Sequence, residues 1–419
     1  MRRSRAITPF KRAVRKVGYI PISGRWVKLL APQHKRRGPS ASGPWSIVIV
    51  DLIPFLGDAI CYLPLVDALR AQHPSAKITF VCAPPAREIL QNYPAIDEVL
   101  TYPGHRLGLS DRMPILRDYF EFFRVARFAR SLSRTHAFDV ALIPRGGADP
   151  FFSAHCAWLM NVPSIFGYSA RLEPERLYMQ YGAEVFYAAY VREVRHLHES
   201  TRALEVAEVA GLLPACSWSA DEPVDGLMKL ADAQDYDEIA RVAELQPTEE
   251  YAILSPGAGA AHRRWPLDRF REIAGRLVRE TSLSVLITGT SAECALGEAL
   301  VQAGDPRIRN LSGRLTLLQL IGLFKSASLF VGNDSGAGHI AGALGVPTIS
   351  LNAYPATENR RHHQSPERNR PRGPRVYVVT PSSFLPPCTE ECLADEVHCL
   401  GQIEVGQVWC AATRALERG

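Results

Sequence analysis

Short apolar runs alternate with amphipathic stretches along most of this chain. The first run, Trp45–Ile53, is rich in β-branched residues and predicts a buried strand. From Ile60 to Leu69 the apolar residues recur at helical spacing, which predicts that a helix follows the strand. The same alternation continues to about residue 167 and begins again at Tyr251. This pattern predicts an α/β fold whose parallel sheets are covered by helices on both faces.

The chain has 419 residues, which is too long for one ordinary hydrophobic core, so we expect two domains. A helix predicted over residues 198–212 ends at Gly211, and the segment after it is polar and acidic up to about residue 248. We place the boundary between the two halves in this segment. The expected divisions are residues 1–44, 45–225, 226–395 and 396–419, the last a closing helix. Two such halves leave a cleft at the carboxyl ends of their strands, where α/β proteins bind ligands.

The segment Val331–His339 combines the end of an apolar strand with a small-residue turn and the start of an Ala-rich helix. A helix N-terminus offers unpaired backbone N–H groups and the positive end of a dipole, and therefore attracts anions. The glycines of this turn would leave room for a phosphate, and its polar side chains would donate hydrogen bonds. The alternative is that Asp334 or Ser335 only caps the helix and that the glycines are turn residues. The candidate phosphate-binding residues are Ser335, Gly336, Gly338 and His339.

The segment Phe55-Leu-Gly-Asp58 places a carboxylate where the first strand ends and its helix opens. In one interpretation Asp58 is the helix N-cap, which would stabilise the fold by about 1 kcal/mol. In the other, Asp58 faces the cleft and accepts a proton from an attacking hydroxyl group. Gly57 would then permit close approach of the ligand.

Two loops of the second half add candidate donor-binding groups. Leu254–Gly259 ends a strand in small residues, and His262-Arg-Arg-Trp-Pro266 follows it. Backbone N–H groups and adjacent arginines can hold a diphosphate, although a flexible loop with solvated arginines has the same pattern. In the next strand-to-helix turn, Glu293 is either a ligand of ribose hydroxyls or an ordinary acid in the first turn of a helix. The candidate residues of these loops are Pro256, Gly257, Arg263, Arg264 and Glu293.

Taken in order, these loops resemble the signature set of glycosyltransferase family 9, which contains the ADP-heptose:lipopolysaccharide heptosyltransferases. The resemblance covers about residues 45–415. It implies a GT-B architecture, in which two Rossmann-like parallel-sheet domains face a cleft. The N-terminal domain would bind the acceptor and the C-terminal domain the nucleotide-sugar. The matching segments are Leu56-Gly-Asp58 with Pro64, the helix from His198 to Gly211, Pro256-Gly-Ala with Arg263-Arg-Trp-Pro266, and Asn333–His339.

The resemblance also implies roles for individual residues. Asp58 matches the catalytic base, and Asp334 matches a residue near the donor sugar. Arg263 stands where the family usually has a lysine beside the donor phosphates, so the charge is kept on a forked guanidinium. Ser335 replaces the commoner threonine of the phosphate-binding turn, and Gly338 replaces a commoner serine. The remaining matches are Gly336 and His339 in the same turn and Glu293 as the ribose acid.

The implied reaction is inverting, metal-independent transfer of a sugar, with heptose from ADP-heptose as the candidate, to lipopolysaccharide or another cell-surface glycan. No cofactor is expected. The chemistry agrees, because a carboxylate can take the acceptor proton while a cation and a helix terminus stabilise the departing diphosphate. Two other functions stay open: a nucleotide-sugar epimerase or hydrolase on the same fold, and a non-catalytic nucleotide-sugar-binding protein at the membrane.

Charge is distributed unevenly along the chain. The net charge is +5, yet residues 1–50 alone carry twelve Lys or Arg and no acid, so the rest of the chain is mildly acidic. Apolar residues at helical spacing between Phe10 and Val17 suggest that residues 1–37 lie on an anionic membrane surface. A disordered arm without a partner is the alternative. A nucleic-acid partner is not expected, since the composition of the folded body indicates no basic face.

Nine scattered cysteines, no apolar h-region and no long apolar stretch favour a cytoplasmic protein, held peripherally at the inner membrane face by its arm. We predict no metal site. Asp235-Tyr-Asp237 has the D-x-D pattern but lies in a predicted solvent-facing acidic helix. A cysteine–histidine cluster has enough ligands for Zn²⁺ but irregular spacing, so a structural zinc or a redox pair is only the alternative there. Its members are Cys388, Cys392, His398 and Cys399.

Overall fold

The computed structural model describes residues 44–104, 114–145, 149, 151–172, 183–301, 304–390, 392 and 394–417. The basic arm predicted over residues 1–37 lies outside these residues. The described chain forms two compact units, which divide between Trp218 and Ser219. No helix in the described ranges is long and apolar enough to cross a membrane.

The first unit is built on a six-stranded parallel sheet with the strand order β3-β2-β1-β4-β5-β6. Its strands are β1 Ser46–Asp51, β2 Lys77–Cys82, β3 Glu98–Thr101, β4 Val140–Leu142, β5 Ser164–Tyr168 and β6 Ala189–Val191. Its helices are α1 Leu56–Gln72, α2 Arg87–Gln91, α3 Pro114–Leu132, α4 Ser153–Leu159 and α5 Glu199–Val209.

The second unit repeats this plan with the order β12-β11-β10-β7-β8-β9. Its strands are β7 Tyr251–Ser255, β8 Ser284–Ile287, β9 Ile308–Asn310, β10 Leu329–Asn333, β11 Thr348–Leu351 and β12 Val376–Val379. Its helices are α6 Asp225–Asp232, α7 Tyr236–Val242, α8 Leu267–Glu280, α9 Cys294–Val301, α10 Leu317–Lys325, α11 Gly336–Ala343, α12 Pro366–Asn369 and α13 Val405–Glu417.

Each unit therefore has the 3-2-1-4-5-6 strand order of a Rossmann fold, which confirms the predicted pair of Rossmann-like domains. The strand order reverses between β1 and β4 in the first sheet and between β7 and β10 in the second. Ligands of open α/β sheets bind at such switch points, beyond the carboxyl ends of the strands. The sequence shows no internal repeat, so the duplication is one of topology.

The central strands are apolar on both faces because helices cover both sides of each sheet. In β1, Val48 and Val50 lie in one core cluster with Val125 and Ala129 of α3. In the second unit, Leu254 of β7 and Val331 of β10 share a cluster with Leu277 of α8 and Val408 of α13. Burial of these continuous apolar runs is the main contribution that stabilises each sheet.

The division between the units comes slightly earlier than the boundary predicted at residue 225. The backbone N–H of Val224 donates to Ala343 O at 2.8 Å, which joins this stretch to the second unit. The indole N–H of Trp218 donates to Glu208 at 2.7 Å and stays with the first. The polar segment that we predicted as a link forms α6 and α7, which pack against α10. It belongs to the second unit because it supplies that unit with part of its helical layer.

Candidate functional site

The predicted base, Asp58, lies in the first turn of α1. The helix begins at Leu56, so Gly57 and Asp58 are helical and do not form the predicted loop. Phe55 occupies the N-cap position and makes no side-chain capping hydrogen bond. The interpretation of Asp58 as the N-cap is therefore wrong, because Asp58 comes after the first helical residue. Its carboxylate remains beside the N-terminus of α1, at the carboxyl end of β1.

Arg145 pairs with Asp58. Its Nη1 donates to Asp58 Oδ1 at 3.0 Å, and both side chains are about one-fifth exposed. Arg145 follows β4, the strand that lies beside β1 at the switch point of the first sheet. Sequence reasoning missed Arg145 as a site residue. The available signal was a cation directly after a buried strand, in Leu142-Ile-Pro-Arg145, but the pairing of β1 with β4 was needed to place it.

Two buried carboxyl groups surround this ion pair. Burial raises the pKa of Asp51 well above its usual value, the negative charge of Asp58 raises it further, and Arg145 lowers it. Burial likewise raises the pKa of Asp149, and hydrogen bonds from Ala154 N and Ser153 Oγ oppose that rise, as does Arg145. The Arg145 guanidinium thus interacts electrostatically with four carboxyl groups, those of Asp51, Asp58, Asp149 and Glu199. Its own pKa is raised, because the carboxylates outweigh its burial.

In the second unit, Asn333 joins the two loops that carry the predicted donor site. It ends β10 and is fully buried. Its side-chain amide donates to Pro256 O at 2.8 Å, and its Oδ1 accepts from Trp265 N at 3.0 Å. Asn333 therefore fixes the loop after β7 against the loop after β10. Asn333 is the first residue of the motif Asn333–His339, but the sequence did not show that it positions the loops and does not itself belong to the predicted ligand set.

Arg263 and Asp334 face each other across these loops. The guanidinium donates to Asp334 O at 3.1 Å and forms an ion pair with the Asp334 carboxylate. Asn352 Nδ2 also donates to this carboxylate at 3.3 Å. The Arg263 side chain is 44% exposed, whereas that of Asp334 is 16% exposed. An exposed cation at the carboxyl end of β10 can exchange a carboxylate for an incoming anion.

The turn into α11 contains an unsatisfied donor. Ser335 occupies the N-cap position, but its side chain makes no capping hydrogen bond. Its hydroxyl group is buried and has no hydrogen-bond partner among the described residues. The interpretation of Ser335 as a side-chain cap is therefore wrong. His339 is buried one turn further along, with Nε2 at 3.9 Å from Asp334 Oδ1. A buried hydroxyl beside the backbone N–H groups from Gly336 onward is an arrangement that suits an anion.

Three predicted donor-site residues have structural contacts that the sequence did not reveal. Arg264 donates through Nε and Nη2 to Ala258 O, at 3.0 and 2.9 Å, and so braces its own loop. Glu293 accepts from the backbone N–H and hydroxyl of Thr290 in a capping box, which agrees with its interpretation as a helix acid. Its other carboxylate oxygen lies so close to Gly257 that a Cβ there would overlap it.

Gly338 lies where a side chain would point into the protein. A Cβ at this position would meet Pro371 and Phe330 at 3.5 and 3.6 Å, so the residue faces the interior of the protein. Helical geometry turns position 338 towards β10, and the room for a phosphate at Gly338 stays a prediction.

Of the discounted signals, the D-x-D pair faces solvent as predicted, and the cysteine–histidine cluster has its four residues close together. Asp235 is the N-cap of α7 and accepts from Glu238 N at 3.1 Å, and Asp237 is exposed. The ligand atoms of the cysteine–histidine cluster all lie within 4.8 Å of one another, despite the irregular spacing. This cluster comprises Cys388, Cys392, His398 and Cys399.

Comparison with known proteins agrees with this architecture. The family model "Glycosyltransferase family 9 (heptosyltransferase)" matches residues 126–379, which is more than half of the chain. Lipopolysaccharide heptosyltransferase 3 of Escherichia coli K12 is 24% identical over 299 residues, covering 70% of this chain and 79% of that protein.

Two solved structures share the fold at low sequence identity. The glycosyl transferase family 9 protein of Veillonella parvula DSM 2008 aligns with a TM-score of 0.65 and 20% identity, over 91% of this chain and 100% of that one. The E. coli heptosyltransferase solved with ADP-2-deoxy-2-fluoro heptose aligns with a TM-score of 0.62 and 18% identity, over 89% and 100%. The chain therefore belongs to glycosyltransferase family 9, the heptosyltransferase family, and is a glycosyltransferase with the GT-B fold.

Proposed function

We propose that the protein is an inverting, metal-independent glycosyltransferase that moves heptose from ADP-heptose to a lipopolysaccharide or another cell-surface glycan. The similarity to lipopolysaccharide heptosyltransferases supports this substrate class. Membership of a transferase family argues against the epimerase, the hydrolase and the non-catalytic binding protein. The observation that carries the proposal is that each unit bears reactive groups at its switch point: a carboxylate in one and an anion cradle in the other.

The donor diphosphate is proposed to bind at the N-terminus of α11. The unsatisfied hydroxyl of Ser335 and the backbone N–H groups from Gly336 onward would donate to it. Arg263 would exchange the Asp334 carboxylate for a phosphate oxygen, which its planar fork can bind through two hydrogen bonds. These groups stabilise the negative charge that gathers on the leaving diphosphate, and no metal ion is required for that task. The relative solved with an ADP-linked sugar supports ADP as the nucleotide.

Asp58 is proposed as the general base. An acceptor hydroxyl must lose its proton as its oxygen attacks the anomeric carbon, and an ionised carboxylate can take that proton. The hydrogen bond from Arg145 to Oδ1 would hold the carboxylate in one orientation. Direct attack from the face opposite the leaving group inverts the anomeric centre, so the proposal includes inversion.

We further propose that the enzyme works in the cytoplasm and that residues 1–37 hold it at the inner face of the membrane. The support is the excess of twelve Lys or Arg in residues 1–50, where anionic lipids would supply the opposite charge. Lipid-linked acceptors lie at this surface, so attachment would raise their local concentration.

Because Asp58 is assigned to proton transfer and Arg263 to donor binding, their substitutions should affect different quantities. Asp58→Asn keeps the size of the side chain but removes the base, so kcat with ADP-heptose and a truncated lipopolysaccharide should fall by about 10²–10⁴-fold. The affinity for ADP should be unchanged. Arg263→Ala should weaken ADP binding by about 10–100-fold, because a charge-assisted contact is lost. Calorimetry and a coupled ADP-release assay without added Mg²⁺ or Mn²⁺ measure both quantities.

Asp237→Asn is the matched control, since it neutralises an exposed carboxylate of the D-x-D pair. It should leave kcat and ADP affinity unchanged. Normal turnover of Asp58→Asn would remove the assigned base. If NMR of the product showed the same anomeric configuration as in the donor, the proposed inversion would be contradicted. A rate that depends on Mg²⁺ would contradict metal independence.

A further inference from the structure

The loop between β12 and α13 contains a compact group of soft ligands. Cys388 and Cys399 are buried, and Cys392 is half-buried. His398 directs Nδ1 towards two of the sulfurs, at 3.6 Å from Cys388 Sγ and 3.4 Å from Cys399 Sγ. The four ligand atoms lie within 4.8 Å of one another. No disulfide joins any of the nine cysteines, all of which lie in the described ranges.

The two nitrogen–sulfur distances agree with tetrahedral coordination. With Zn–S bonds of about 2.3 Å and Zn–N bonds of about 2.0 Å, a tetrahedral site places nitrogen and sulfur about 3.5 Å apart and two sulfurs about 3.8 Å apart. The two Nδ1–Sγ distances in the structure are close to the first value. In addition, the backbone N–H of Leu385 donates a hydrogen bond to Cys399 Sγ at 3.4 Å, which holds this sulfur in place.

We propose that Cys388, Cys392, His398 and Cys399 bind one structural Zn²⁺ ion. Three sulfurs and one imidazole form a soft ligand set of the kind that selects zinc over the hard cations Mg²⁺ and Ca²⁺. Four protein ligands leave no open position for water or substrate, so the ion is structural. A disulfide is a poorer fit, since it would use two of the three cysteines and leave the third thiol and the imidazole without a role.

The position of the cluster explains what the ion stabilises. Cys399 begins the short 3₁₀ helix Cys399–Gln402, which packs against the turn Ala261–Arg263. Leu400 and Ile403 on the same segment are buried in the core of the second unit. The zinc loop, which carries the four proposed ligands between β12 and α13, is therefore fixed on one side by the core. On its other side it supports the turn that carries Arg263.

Two further hydrogen bonds connect the zinc loop to the start of α8. The indole N–H of Trp265 donates to Ile403 O at 2.9 Å, and Arg269 Nη1 donates to Gly401 O at 2.8 Å. Trp265 is also the residue whose backbone N–H is held by Asn333. Loss of the ion would loosen the loop that positions Arg263 and so weaken donor binding. This last consequence rests on the proposed function, whereas zinc binding itself does not.

Metal content of the full-length protein, purified under reducing conditions, tests the site directly. We expect stoichiometric zinc by plasma mass spectrometry. Cys392→Ser and His398→Ala should lose it, and Cys410→Ser, which removes an exposed cysteine from α13, should keep it. His398→Cys keeps four ligands and should retain zinc. Apo protein reconstituted with Co²⁺ should show the thiolate charge-transfer and d–d bands of a tetrahedral site, and Cys392→Ser should lack them.

Removal of zinc with a chelator should lower the melting temperature and weaken ADP binding, and added Zn²⁺ should restore both. Wild-type protein that contains no stoichiometric metal, or that carries a disulfide among these cysteines, would overturn the proposal. Full zinc content in Cys392→Ser would also overturn it. If zinc is bound but ADP affinity does not respond to it, the site stands and only its link to the donor loop fails. Should the serine variants not fold, the metal content of wild type and His398→Cys decides.

Discussion

At the scale of single residues, the site of the first unit depends on one guanidinium that faces several carboxyl groups. Arg145 pairs directly with Asp58 and lowers the pKa values of both Asp51 and Asp149. Both acids are buried, and burial makes their ionisation less favourable than that of an exposed carboxyl group. Ionisation of Asp51 and Asp149 therefore costs free energy in the folded state, close to Asp58, the residue assigned to proton transfer.

This cost predicts how stability varies with pH. The pKa of Asp51 is raised in the folded state, so above the unfolded value of about 4 the folded protein holds a proton that the unfolded chain has lost. Stability from this group is complete at lower pH and is lost as pH rises towards the folded pKa. In Asp51→Asn the loss disappears, so the variant should gain stability relative to wild type with rising pH. Each unit of pKa difference corresponds to about 1.4 kcal/mol.

Urea denaturation between pH 4 and 8, followed by a probe in the first unit, measures this difference. Asp237→Asn, at an exposed position, provides the control and should run parallel to wild type. A constant difference between Asp51→Asn and wild type across this range would show that the carboxyl group does not carry the proposed cost.

At the scale of elements, the loops after β7 and β10 are held together because Asn333, which ends β10, hydrogen-bonds to two points of the loop after β7. The residue lies at the end of a strand that contributes its apolar side chains to the core, and its amide reaches sideways to the neighbouring strand's loop. Arg264 braces the first loop from within. The groups that would meet a donor, Arg263 and Ser335, are thus carried on a backbone that is already hydrogen-bonded.

Asn333→Ala should therefore weaken both the fold and the donor site. The substitution leaves Pro256 O and Trp265 N without their partner, and each buried unsatisfied group costs about 1–3 kcal/mol. ADP affinity should fall, although Asn333 is a positioning residue and need not contact the nucleotide. Thermal melting and calorimetry with ADP measure the two effects.

Asn92→Ala is the matched control. Its amide makes a single hydrogen bond to Glu88 O on the exposed end of α2 in the first unit. The free energy of unfolding of this variant should lie within about 0.5 kcal/mol of that of wild type, and its affinity for ADP should be unchanged. If Asn333→Ala behaved in the same way, the loops would be held by other contacts.

At the scale of the whole molecule, the chain consists of two units with the same strand order and separate cores. A ligand stabilises the regions that its binding orders, so ADP alone should act on one unit. Hydrogen exchange should show added protection at residues 256–266 and 333–340. Residues 53–63, which include Asp58, should exchange as in the ligand-free protein.

Arg263→Ala provides the control for this experiment, because at the same ADP concentration its added protection should be reduced in proportion to the lost affinity. If ADP protected residues 53–63 as much as residues 333–340, or more, the nucleotide would bind to the first unit and the proposed donor site would be contradicted.

The strand-to-helix loops of the site were predictable from the sequence. In each sheet the carboxyl ends of the parallel strands lie at one edge, so Asp58, Arg263 and Ser335 could be selected from segments that follow apolar runs. Asp334 was selected through the family resemblance. Arg145 was missed, since its relevance depends on β4 lying beside β1, and strand order is not written in local periodicity. Ligand roles for Gly338 and Glu293 were predicted from residue type, because sequence shows which residue is small or acidic but not which way it faces. The structure turns position 338 towards Phe330 and holds Glu293 in a capping box, and their ligand roles stay predictions.

The sequence by itself determined the α/β class, the duplication into two sheets and the family, because these follow from local hydrophobic periodicity and from short ordered motifs. Only the tertiary structure decided which side chains meet. The Asp58–Arg145 pair, the Asn333 bridge and the assembly of Cys388, Cys392, His398 and Cys399 all join atoms whose distances are set by chain crossings and loop paths. The physical reason is that periodicity reports which face of an element is buried, whereas contacts between loops depend on how separate elements pack.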